Sequence, residues 1–233
     1  MFTRPRLEAL FEIGLCSGMP TQLVIGQLLR VAGWSPFNPE GGLSLTFIFG
    51  LAAADTVVLV ALMILLTRAH GESVSELWLG RRPVAREVML GALLIPAMFL
   101  MVVVLLNTLR AIAPGLHNVD VNPLEQLAST PGTAIVFGII AIVAGGVREE
   151  LQRAFLLHRF EQHLGGTRVG IIVLSVGFGL GHALQGWDAV IGTGVLGAFW
   201  AVLYVRRRSV LAPIVSHSGF NALEVLRVAT LGL

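Results

Sequence analysis

The 233-residue sequence has no lysine, and its single cysteine is Cys16. One cysteine excludes an internal disulfide and any cysteine-rich zinc site. No supporting side chain stands beside Cys16, so it reads as a small packing residue and not as a nucleophile. Charge is scarce as well, at 13% of residues. No basic run interleaves with aromatics, which excludes the usual footprint of a nucleic-acid partner. There is no internal repeat and no low-complexity segment. Residues 1–12 carry Arg4, Arg6, Glu8 and Glu12 where a cleavable signal peptide would have a clean apolar core. The first span is therefore expected to be retained.

What remains is apolar. Hydrophobic residues make up 55% of the chain, and the mean hydropathy is +0.81, both beyond ordinary soluble values. The length suits one integral domain with short loops and leaves no room for a separate soluble one. A formal charge of +2, from 16 arginines against 14 acids, fits membrane topology signals. All-arginine usage reads as the coding bias of a prokaryote, so a bacterial cytoplasmic membrane is the expected location.

The sequence predicts an all-α, polytopic membrane bundle of about seven helices (six to eight), each near the length a bilayer demands. The expected spans are 8–31, 43–66, 88–109, 133–160, 169–184, 189–205 and 210–228. The first, with Pro20, Gln22 and Gln27, reads as either a kinked span or an interfacial helix. Pro96 marks a kink in the third that neighbouring helices can absorb. Dense glycine in the last spans, Gly177, Gly179, Gly181, Gly192, Gly194 and Gly197 among them, allows close helix approach. Residues 115–131, rich in proline, form the longest loop. Residues 1–132 thus supply N-terminal helices, and 133–228 a core that carries the polar motifs.

Arginine placement sets the orientation. With an inside N-terminus, the inside segments hold eleven arginines and the outside ends three, Arg30, Arg110 and Arg227. That is a strong positive-inside bias. Arg148 and Arg153 fall within the membrane.

Three polar clusters interrupt the later spans: Glu149-Glu150-x-x-Arg153, Phe178-x-x-x-His182 and His217-x-x-x-Asn221. Ionisable groups at membrane depth are expensive, and they persist mostly where they face one another and act. Adjacent Glu149 and Glu150 point about 100° apart on a helix, so they cannot face one spot. Arg153 is in reach of either. His217 and Asn221, four apart, share a helix face and, taken alone, could clamp two helices by hydrogen bonds. Phe178 reads as packing. At about 1.5 Å per residue, all three clusters fall at similar depth, near the middle or inner half of the bilayer. Outside them, Asp55 reads as an isolated polar residue gluing helices, His158 and His163 as solvated, and Asp188 as a turn. Glu224 reads as a partner of Arg227 or a supporting residue.

These motifs resemble the CPBP group of membrane proteins, which includes CAAX prenyl endoproteases of the Ras-converting type, lysostaphin-resistance proteins and bacteriocin-processing relatives. The likeness covers roughly residues 133–228. Phe178-Gly-Leu-Gly-His182 and His217-Ser-Gly-Phe-Asn221 match residue for residue, and the flanking Leu211-Ala-Pro-Ile-Val-Ser-His217 is typical of the third motif. One feature departs: the family places three residues between its glutamate pair and arginine, and this chain has two, Leu151 and Gln152. Both spacings are neighbours on a helix, so the ion pair survives. Which glutamate carries the chemistry stays open, with Glu149 preferred because it begins the motif.

The resemblance implies glutamate-dependent peptide hydrolysis. Glu149, or Glu150 in its place, would act as general base on a water that His182 also holds. His217 and Asn221 would stabilise the oxyanion, with Arg153 and Phe178 supporting. The implied substrate is a membrane-proximal or lipidated peptide, CAAX-type prenylated chains included, entering from the inner leaflet. No cofactor is expected. A second reading makes Glu149, His182 and His217 ligands of Zn²⁺, although the chain has no His-Glu-x-x-His. A third is a non-catalytic immunity or scaffold protein, or a transporter; a transporter should show related halves, and the sequence shows none. The lipid bilayer is the expected partner in every case, and the sequence is silent on oligomeric state.

Overall fold

Lipid-exposed backbone must satisfy its own hydrogen bonds, and helices do so within one segment. The computed structural model describes residues 3–231, and among them the chain is helical throughout apart from loops and one isolated bridge, Phe37–Leu43. Helix α1 (Arg4–Leu15) and α2 (Met19–Val31) are followed by α3 (Leu45–Ala69), short α4 (Val74–Trp78) and α5 (Val84–Ile112). Then come α6 (Pro131–Ile140), a π-helical segment (Ala141–Arg148), α7 (Glu149–His163), α8 (Thr167–Leu180), α9 (Trp187–Arg207) and α10 (Leu211–Leu231).

Among the described residues, helices cover each of the seven expected span positions. Five are long and apolar enough to cross a membrane: Arg4–Val31, Leu45–Ala69, Val84–Ile112, Pro131–His163 and Trp187–Arg207. Helix α10 has the length, 21 residues, but Ser216, His217, Asn221, Glu224 and Arg227 make it more polar. Helix α8 is apolar and only 14 residues long. It ends at Leu180, four residues before the expected boundary. The reason is local: Gly177, Gly179 and Gly181 weaken the last turn, and Gly186, at φ 107°, starts the next helix from a conformation open to glycine. His182 therefore sits just past the helix, at φ −103° and ψ 14°.

The first passage is kinked. Cys16-Ser17-Gly18 interrupts it, Gly18 takes φ 89°, and Pro20 lies in the first turn of α2, where its missing N–H costs nothing. Cys16 is fully buried among Leu59, Met63 and Phe155, as a packing residue should be.

Large apolar side chains cover the outside of the bundle, Val57, Leu65, Leu93, Leu100, Ile135 and Ile172 among them. An apolar surface this extensive would be a liability in water and is the expected face toward lipid. Inside, small residues set the helix distances. A Cβ on Gly179 of α8 would meet Gly194 of α9 at 3.3 Å, and one on Gly91 of α5 would meet the Ala212 carbonyl of α10 at 2.7 Å.

Ion pairs collect at the two ends. At the arginine-rich end, buried Arg159 of α7 donates to Glu12 of α1 (2.6 Å) and Glu72 (2.7 Å), while Arg208 grips Glu161. Burial alone would raise the Glu72 carboxyl, but hydrogen bonds from Arg159, Gln162 and His158 outweigh it and hold it below the usual carboxylate range. His158, expected to be solvated, is instead 2.9 Å from Glu72. At the other end Asp188 heads α9, where the helix dipole favours a carboxylate, and meets His117 at 2.9 Å. Glu224 does pair with Arg227, at 3.0 Å.

Candidate active site

The motif-bearing passage is irregular just before its glutamates. Ala141–Arg148 winds as a π-helix, a wider turn that is uncommon and frequent at functional sites. Glycine permits it here. Gly145 and Gly146 present bare backbone to α10: a Cβ on Gly146 would collide with Ser218, and one on Gly145 would lie 2.6 Å from the Asn221 amide nitrogen. Asn221 in turn donates from Nδ2 to the Ala141 carbonyl at 2.9 Å. The third motif is thus fastened to the segment that presents the first.

The two glutamates then diverge as the helix requires. Glu150 turns toward α10 and is 2% exposed. Its Oε1 accepts from His217 Nδ1 at 2.8 Å and from the Arg153 guanidinium. Its Oε2 is buried with no hydrogen-bond partner among the described residues. Glu149 faces elsewhere. Its side chain is 20% exposed and accepts from Arg148 Nη2 at 3.2 Å; among the described residues it has no hydrogen bond to His182 or His217.

Aromatic packing holds the rest. The His217 ring stacks on Trp200 of α9 at 3.7 Å between centroids and 16° between planes. Trp200 Nε1 donates to Ser216 Oγ at 3.1 Å, one residue before that histidine. The Arg153 guanidinium lies 4.8 Å over Phe178 and 5.7 Å over Trp200, so ring faces stabilise its buried charge. Phe178 separates the two histidines, with its centroid 4.8 Å from His182 and 6.2 Å from His217. It acts through packing, as its residue type suggests.

Both imidazoles are oriented through Nδ1. His182 Nδ1 lies 2.8 Å from the Phe178 carbonyl, and His217 Nδ1 lies on a carboxylate. A carbonyl and an ionised carboxylate only accept, so each Nδ1 carries a proton, and each Nε2 is left for chemistry.

The structure therefore groups Glu150, Arg153, Phe178, His182 and His217 around one point. Asn221 lies one turn along α10 from His217, and Glu149 is held apart from this group by Arg148. As a zinc set, Glu149, His182 and His217 do not converge: among the described residues no three His, Cys, Asp or Glu side chains lie as ligands of one ion. Trp200 is a site residue that the sequence does not flag, since an aromatic in an apolar span reads as core.

Residues 131–223 match the family model described as type II CAAX prenyl endopeptidase, Rce1-like. The match holds every motif residue, and the resemblance carried by the three motifs is thereby shown over that segment. The match says what this segment is similar to, and the family so described is one of endopeptidases, which are hydrolases. Comparison with curated proteins and with solved structures returns no match.

Proposed function

We propose that the protein is an intramembrane endopeptidase that cleaves membrane-associated peptides, prenylated CAAX-type chains among them, with a water activated by glutamate and histidine. The observation that carries this reading is the hydrogen bond from His217 to Glu150, at 2.8 Å. It joins the first motif to the third within a buried, water-poor site, where a purely structural ion pair would be poor value beside apolar packing.

The roles follow from access. Glu150, whose Oε1 takes both the Arg153 guanidinium and His217, positions the imidazole. Glu149, partly exposed and held by one donor, is the general base, and His182 Nε2 helps to hold the water. His217 Nε2 and the second Nδ2 hydrogen of Asn221 face the oxyanion. Glu150 holds the Nδ1 side of His217 and so aims Nε2 away from itself.

Turnover by the purified protein in detergent, on prenylated and unprenylated peptides with and without chelator, tests the reading. Cleavage that survives chelation is expected. Chelator-sensitive cleavage would support a metal in the mechanism, and no cleavage of any peptide would leave the non-catalytic reading.

We further infer an inside N-terminus, in a bacterial cytoplasmic membrane, from the arginine pattern. Exposed Ser75, on the short helix α4 that links α3 to α5, and exposed Ser129, just before α6, lie at opposite ends of the bundle. Cysteines placed there, in a Cys16→Ser background, are expected to label from opposite sides, position 75 from inside. Labelling of both from one side would overturn the span order.

A further inference from the structure

Arg148, directly before the motif glutamates, is buried and holds two carboxylates at once. Its Nη2 donates to Glu149 at 3.2 Å, and its Nη1 lies 3.5 Å from Asp55 of α3 and 3.2 Å from Gln152 Oε1. Asp55 is 1% exposed and is itself fixed from α2, by Thr21 Oγ1 at 2.5 Å and Gln22 Nε2 at 3.2 Å. The break between α1 and α2 closes the arrangement. Gln152 Nε2 donates to the Cys16 carbonyl at 2.6 Å, and a Cβ on Gly18 would come within 3.6 Å of Arg148 Nη1. Asp55 is thus no isolated residue: it is the fixed end of a chain of contacts that leads to Glu149.

We propose that Asp55 is a positioning residue for the reaction, acting through Arg148 to aim the Glu149 carboxylate and to keep it from a closed ion pair. This rests on Glu149 being the base. Two carboxyl groups share one guanidinium and compete for its fork. Without Asp55 the whole Arg148 fork would close on Glu149 as a neutral pair, occupying the oxygens that must take a proton from water. With Asp55 held by Thr21 and Gln22, the fork is drawn toward α3 and Glu149 keeps one oxygen free. The first 130 residues thereby contribute to a site whose motifs all lie beyond them.

Single-turnover peptide cleavage by Asp55→Asn in the full-length protein tests this, because it separates rate from the fraction of active enzyme. The rate constant is expected to fall about 10- to 100-fold, since misplacing a reacting group can cost up to about 10²-fold, with burst amplitude and KM unchanged. In a Glu149→Gln background the same substitution should change the residual rate little, since the two act as one unit. Arg148→Lys keeps the charge and loses the fork, so it should show the same fall, and it decides the matter should Asp55→Asn fail to fold. A fall in amplitude at constant rate, or an equal loss in both backgrounds, makes Asp55 merely structural and overturns the proposal. Wild-type rate in Asp55→Asn beside an inactive Glu149→Gln overturns this proposal alone. Full activity in Glu149→Gln overturns the base assignment together with it.

Discussion

Glu149→Gln should lower peptide turnover by about 10²–10⁴-fold, the contribution usual for a general base, with little change in thermal stability. The amide keeps the size of the side chain and still accepts from Arg148 Nη2, but it cannot take a proton from water. Its position costs little to perturb, because the side chain is partly exposed and has one ionic partner. Glu150→Gln is expected to behave differently. Its carboxylate is buried between the Arg153 guanidinium and His217, and neutralising it removes the only counter-charge Arg153 has among the described residues. Breaking one side of a buried pair typically costs about 3–5 kcal/mol. Melting temperature and activity should therefore fall together in Glu150→Gln, while Glu149→Gln stays folded and inactive. Full activity in both variants would end the glutamate mechanism. The reverse pattern, with Glu150→Gln folded and inactive, would move the base to Glu150 and its unpartnered Oε2.

That difference between neighbours was only half legible in the sequence. Adjacent residues on a helix must diverge, so a split of roles was foreseeable; which of the two faces His217 was not. It depends on the π-helical turn Ala141–Arg148, which rotates everything after it, and the only local sign of that turn is the Gly145-Gly146 pair. The helices and their positions were legible because apolar run length is a local property, and the polar intrusions stood out against it. Partners distant in the chain were not. His158 reads as a solvated helix-end histidine until Glu72, 86 residues away, is found beside it. Asp55 reads as lone glue until α2 and Arg148 converge on it. Trp200 looks like any apolar-span aromatic until its ring lies on His217. His182 shows the converse: its four-residue spacing from Phe178 suggests a shared helix face, yet the residue has left the helix and keeps the link through the Phe178 carbonyl.

The oxyanion pair offers the sharpest separation of chemistry from architecture, because Asn221 takes part in both. One Nδ2 hydrogen is committed to the Ala141 carbonyl, which clamps α10 to the π-helical segment. The other is unassigned by that bond and available to a substrate. Asn221→Ala should therefore lower stability modestly, by about 1 kcal/mol for one such hydrogen bond. Turnover should drop much further, by about 10²–10³-fold, or about 2.7–4 kcal/mol in the barrier, as for other oxyanion donors. His217→Ala is expected to fall at least as far, since it also strands Glu150 beside Arg153 and leaves Trp200 without its stacked ring. Residues that stabilise one charge act as a unit, so the double variant should lose less than the product of the two single losses. Substrate affinity should hold in Asn221→Ala, because the oxyanion does not exist in the ground state. Thermal melts in detergent, equilibrium binding of an uncleaved peptide and single-turnover rates on the same preparations separate these terms. A loss of folded protein large enough to account for all the lost turnover would return Asn221 to the clamp between helices, and the oxyanion would need another donor.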